Sequence, residues 1–89
     1  MKIMKIGSVW CSGCLVMKPR WAEIEEANPW LETEFYDYDQ SPEIVETYKI
    51  NENLPVAIVV DDKGNELTRI TGEVSKNEIL KTIEAFRTK

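Results

Sequence analysis

The chain has no histidine and only two cysteines, Cys11 and Cys14, among its 89 residues. The first absence bears on metals. A tetrahedral zinc site normally takes four ligands, so a zinc half-site here would need a dimer sharing two motifs, or added carboxylates. Long apolar runs are missing too. No stretch approaches the roughly 20 residues that span a bilayer, so no membrane partner is expected. In the opening segment, Met1 to Ile6, Lys5 interrupts any apolar core of a leader and no small-residue cleavage site follows. No secretory signal is therefore read, and the cytoplasm is the expected compartment. Basic charge is in deficit, with 11 Lys and Arg against 16 Asp and Glu, a net charge of -5. Such a surface repels phosphates, which argues against nucleic acid or an anionic membrane as partner. Repeats, low-complexity tracts and linkers are also lacking.

What is present reads as one domain, residues 1–89, with the modest core that a chain this short can bury. Lys2 to Val9 is rich in Ile and Val and predicts a strand ending near Gly7-Ser8. A helix is predicted from Cys11 to Asn28-Pro29, with Leu15, Val16, Met17, Trp21, Ala22 and Ile24 at helical spacing and Pro19 kinking it. Glu32 to Asp39 predicts a second strand. Ser41-Pro42-Glu43 opens a second helix with a hydroxyl cap, proline at the first position and an acid in the first turn. Val56 to Val60 is a continuous aliphatic run of the kind buried on both faces. Asp61-Asp62-Lys63-Gly64 is turn chemistry, and Glu66 to Thr71 returns as an antiparallel partner. Ser75 and Glu78 form a capping box before a last helix faced by Ile79, Leu80, Ile83 and Phe86. The order β-α-β-α-β-β-α predicts an α/β fold, a four-stranded mixed sheet flanked by three helices.

Both cysteines fall in one C-x-x-C at a strand-to-helix junction. A structural disulfide closing so small a loop would restrict the unfolded chain very little, so reactivity explains the pair better than stapling. Thiol–disulfide exchange needs an attacking thiolate and a second thiol to release the mixed disulfide. Cys11 sits where the first helical amides and the dipole stabilise a thiolate. Lowering a thiol from about 8.5 to about 7 raises its thiolate fraction about fifteenfold at pH 7, while reduced basicity costs about fivefold in nucleophilicity. Exposure of Cys11 must then matter as much, with Cys14, one turn on, expected to be the more buried resolving thiol.

Trp10-Cys11-Ser12-Gly13-Cys14 resembles the thioredoxin family, and other features follow in that family's order. Pro19 stands where the family has its helix-kinking proline. Tyr48-Lys49-Ile50-Asn51-Glu52-Asn53-Leu54-Pro55 is similar to the approach to its cis-proline. Gly64 matches the hairpin glycine, and Thr71-Gly72-Glu73-Val74-Ser75-Lys76 resembles the glycine loop leading into the last helix. The resemblance implies a minimal thioredoxin-like fold without a cofactor or resident metal. It implies Cys11 and Cys14 as catalytic residues and a cis Pro55 pressed against them. Trp10, Leu54, Pro55, Gly72 and Val74 would ring an apolar docking surface, Leu54 offering backbone groups to an extended substrate segment. Trp21, Trp30, Tyr36 and Tyr38 are read as packing residues. Asp37, Asp39, Asp61 and Asp62 are read as caps, turns and solvated faces.

The chain departs from that family in three respects. The strand leading into the motif opens the chain, which predicts a sheet without the strand and helix that begin a typical thioredoxin. Ser12-Gly13 replaces the usual Gly-Pro at positions that tune the redox potential. Lys5 occupies the position of the family's buried Asp, and the place of that acid's lysine partner aligns to Phe35. Lys5 is expected either to tune Cys14 or to pair with a carboxylate such as Glu34. Asn53-Leu54-Pro55 also lacks the Thr-Val-Pro signature of glutaredoxins. The expected function is a monomeric protein disulfide reductant, served by a thioredoxin-reductase-like electron donor and acting on disulfide-containing proteins. A glutathione-using protein, a docking module, or a dimer bridging zinc or an iron–sulfur cluster are the alternatives.

Overall fold

The computed structural model describes residues 1–51 and 53–87, so Glu52 of the matched segment lies outside the described residues. Its elements are β1 (Lys2–Gly7), α1 (Ser12–Ala27), β2 (Glu32–Asp37), α2 (Pro42–Thr47), β3 (Val56–Val60), β4 (Glu66–Thr71) and α3 (Lys76–Arg87). The strands form one four-stranded sheet in the order β2-β1-β3-β4. β1 runs parallel to β2 and antiparallel to β3, and β3 is antiparallel to β4. The aliphatic run of β3 is buried at every residue, as an interior strand covered on both faces must be.

Alternation along the strands sorts the core into two layers. Ile3, Ala57 and Val59 face Met17, Trp21 and Ile24 of α1 and Ile79 and Ile83 of α3. Met4, Ile6, Val56, Ile58 and Val60 face the other way, where Ile44, Val45, Tyr36, Tyr38, Tyr48 and Leu54 pack on them. Lys5 therefore falls on the α1 side, between Ile3 and Gly7. Each fully buried Ile contributes about 1.5–3 kcal/mol, enough for these layers to fix the height of α1 over β1.

Several boundaries differ from the sequence reading. β1 and β2 end at Gly7 and Asp37, not at Val9 and Asp39. Tyr38 N–H donates to the Gly7 carbonyl at 2.7 Å and Asp39 N–H to Asp37 Oδ1 at 2.9 Å, bonds that turn the chain. α1 continues through Pro19 and stops at Asn28, whose backbone N–H (3.0 Å) and side-chain amide (2.9 Å) both donate to the Ile24 carbonyl. Ser41 caps α2 by position without a side-chain bond. Ser75 caps α3, its Oγ accepting the Glu78 N–H at 3.2 Å. Trp30 is partly exposed, with the Arg87 guanidinium 4.2 Å from its ring centroid.

Candidate active site

β1 delivers the chain to Ser8, and a short turn brings Cys11 to the N-cap of α1 in extended geometry (φ -96°, ψ 111°). Cys11 N–H donates to the Ser8 carbonyl at 3.4 Å, and Cys11 Sγ accepts the Cys14 N–H at 3.3 Å. The sulfur thus takes the place of the oxygen that usually caps a helix, and a thiolate there gains from the amide and the dipole. Both cysteines are free thiols.

The two sulfurs have different surroundings, though not as expected. Cys11 is the more buried residue, 8% exposed, whereas Cys14 is half-buried. Cys14 borders a cavity of about 400 Å³ between α1 and the sheet, which leaves part of its surface uncovered. Its Sγ nevertheless points inward, 3.0 Å from where a side-chain carbon on Gly7 would stand. Burial of the thiol, and then its hydrogen bond to Cys11, push Cys14 from 9.0 up to about 11, against an opposing pull from the Ser8 backbone amide.

Around the motif, Leu54–Pro55 is a cis peptide. Pro55 Cδ lies 3.1 Å from the position a Cβ on Gly13 would take, which places the proline against the first turn of α1, between the cysteines. Gly72, at φ +83°, donates its N–H to the Pro55 carbonyl at 2.7 Å. That φ suits glycine, and the bond joins the loop after β4 to the proline. Arg20 Nη1 donates to the Val74 carbonyl at 2.8 Å, tying the same loop to α1. Trp10 is 52% exposed rather than a core residue. Its indole N–H donates to Asp39 Oδ2 at 2.9 Å, and Tyr38 meets it edge-on with centroids 5.9 Å apart. Val9 and Leu15, also exposed, extend the apolar surface. The structure thus brings Cys11, Ser12, Gly13, Cys14, Pro55, Gly72 and Val74 to one end of the sheet, with Trp10 and Leu54 alongside.

Lys5 sits in register with Phe35 on β2, as aligned, and with Ala57 on β3. Its partner is Glu25 of α1 rather than Glu34. Lys5 Nζ lies 2.6 Å from Glu25 Oε2 and 5.7 Å from the Trp21 ring centroid. Glu34 is taken by Lys2 at 3.0 Å, since residues 2 and 5 leave opposite faces of β1. The stem of Lys5 lines the same cavity as Cys14. Pro19 lies past the first turns of α1, exposed. Among the described residues no cluster of three or more potential ligands converges as a metal site.

Gly7, Arg20, Glu25 and Asp39 carry parts of this geometry that the sequence reading did not assign. Period-two alternation from Ile3 does place Gly7 beneath the helix start. Arg20 and Asp39 act through contacts with distant loops, which no local pattern announces.

The family model described as thioredoxin matches residues 1–82. No curated protein sequence matches the chain significantly. Among solved structures, thioredoxin 1 of Thermosipho africanus TCF52B is 26% identical with a TM-score of 0.82, covering 99% of this chain and 96% of that one. Thioredoxin from Trypanosoma brucei brucei is 19% identical with a TM-score of 0.86, covering 99% of this chain and 75% of that one. Mitochondrial thioredoxin 3 of Saccharomyces cerevisiae, in its oxidized form, is 23% identical with a TM-score of 0.82, covering 94% and 76%. With a match over nearly its whole length and the same sheet and helices, the chain belongs to the thioredoxin family.

Proposed function

We propose that this protein reduces protein disulfides by dithiol–disulfide exchange at Cys11 and Cys14. The asymmetry of the two thiols carries the reading. One sulfur caps a helix and accepts an amide proton, while the other is pushed up to about 11. Cys11 thiolate attacks a substrate disulfide, forms a mixed disulfide and expels one substrate thiolate. Cys14 then loses its proton and attacks the Cys11 sulfur. The second substrate thiolate leaves, and the Cys11–Cys14 disulfide has given up two electrons. A thioredoxin-reductase-like donor restores the dithiol.

The raised Cys14 thiol supports the reducing direction. Strong oxidants of this class owe their potential to a stabilised reduced form, and a buried, poorly ionised second thiol works against that. A reducing role also suits the cytoplasm, where thiols are kept reduced. Trp10, Leu54, Pro55, Gly72 and Val74 form the docking surface for an extended substrate segment.

Insulin reduction with Cys11→Ser and Cys14→Ser tests the assignment. Cys11→Ser should abolish turnover, and Cys14→Ser should accumulate mixed disulfides on Cys11. Adducts found on Cys14 alone would reverse the roles. A reduction potential near about -270 mV supports a reductant, and one near about -120 mV refutes it.

A further inference from the structure

The first turn of α1, between the cysteines, has a second neighbour beside Pro55. Glu73 places its Cγ and Oε1 each 3.4 Å from the position a Cβ on Gly13 would occupy. The proline and a carboxylate thus both border Gly13. Glu73 is exposed, and among the described residues no cation is paired with it. The nearby cations are otherwise placed. Arg20 is spent on the Val74 carbonyl, and Lys76, the nearest lysine along the chain, reaches Glu23 at 3.5 Å. Lys18 lines the cavity that Cys14 borders. Asp39, at the Trp10 rim, adds negative charge and has no cation bonded to it, only the indole N–H and its own backbone contact.

We infer that Glu73 selects the substrate: the site prefers disulfides flanked by lysine or arginine and disfavours anionic ones, glutathione disulfide included. This rests on the disulfide-reducing reading above and specifies its substrate class. Any segment reaching Cys11 along Leu54–Pro55 passes Gly13 and therefore meets the carboxylate. In water a unit charge about 6 Å from a carboxylate changes an encounter about threefold, so the contrast between a cation and an anion is about tenfold. At 0.15 M salt, screening over about 8 Å reduces that contrast to about threefold.

Two small symmetric disulfides test it, cystamine with ammonium arms and dithiodipropionate with carboxylate arms. The second-order rate constant for oxidation of the reduced protein is measured for each, and their ratio compared between variants. Comparing ratios cancels the intrinsic reactivity of the two reagents. Glu73→Gln should lower the cystamine-to-dithiodipropionate ratio about tenfold at low ionic strength, and Glu73→Lys should lower it further. Raising salt to 0.15 M should lower the wild-type ratio about threefold and the Glu73→Gln ratio by less. An unchanged ratio in both variants, with both disulfides still consumed, overturns the role of Glu73 and spares the disulfide-reducing reading. If wild type consumes neither reagent and no insulin, both fall together.

Discussion

In the proposed exchange Cys14 sets how fast the mixed disulfide resolves, and pH is the cleanest perturbation of it. Its thiol is raised from 9.0 to about 11, chiefly by burial. At pH 7 the full two-unit rise would leave about a hundredfold less thiolate, while the more basic sulfur attacks about six- to tenfold faster, so resolution slows by at most about ten- to fifteenfold net. For an acid whose folded pKa is raised, the ionised fraction keeps growing tenfold per pH unit past the ordinary value. In the mixed disulfide Cys11 no longer accepts a hydrogen bond from Cys14, but burial remains. The resolving rate should therefore climb log-linearly from pH 6 through pH 9 and level off only between 9 and 11. The same shift gives a stability that is constant below pH 9 and declines from there toward pH 11, because the folded form holds the proton more tightly. The assay is single turnover. Reduced protein is trapped at Cys11 as the adduct of a chromogenic thiol, and its release is followed in stopped flow across pH. A plateau at or below pH 9 would refute the reasoning, since the thiol would then ionise as readily as an unburied one.

Two other perturbations probe the floor of the site. Gly7→Ala would set a carbon 3.0 Å from Cys14 Sγ and 3.3 Å from the Phe35 ring, inside ordinary contacts of about 3.5–4.0 Å. Overpacking of this kind costs about 1–3 kcal/mol, so calorimetry should show Tm lowered by at least about 4 °C, with a changed resolving rate. An unchanged Tm and rate would mean that Cys14 does not lean on Gly7. The second perturbation is the Lys5–Glu25 pair, with side chains 20% and 33% exposed. Glu25 neutralises the ammonium, so Lys5→Met should move the reduction potential by less than about 10 mV, against about 30 mV for a tenfold change in equilibrium. Glu25→Gln frees Lys5 to favour a Cys14 thiolate and should shift the potential beyond about 10 mV to the oxidising side. Equal potentials in both variants and wild type would remove Lys5 from the chemistry.

The features legible in the sequence were those written in short-range pattern. The five aliphatic residues of β3 announced a strand covered on both faces, and Ser75 with Glu78 announced the start of α3. The motif, the proline at 55 and the glycine at 72 lie far apart in the chain, and it was the resemblance to the thioredoxin family that implied they would meet. Relative burial of the two cysteines was not legible, because it depends on the space left under α1 rather than on their own turn. The partner of Lys5 was equally hidden. Glu23, Glu25 and Glu26 stand within one turn of α1, and only the phase of the helix against β1 selects Glu25. Strand ends were misjudged where Tyr38 and Asp39 have strand-like neighbours but bond back into a turn.

A single helix, α1, carries the cysteine motif at one end and core residues at the other. Trp21 and Ile24 lock its second half into the layer shared with α3, and Asn28 closes that end with two donors on one carbonyl. Pro19 lies between the two halves and, lacking an amide proton, omits a rung from the hydrogen-bond ladder there. The missing rung falls between the motif and the Trp21–Ile24 half seated in the core. In the proposed exchange, the sulfur chemistry then falls at the end of α1 farther from that anchored half.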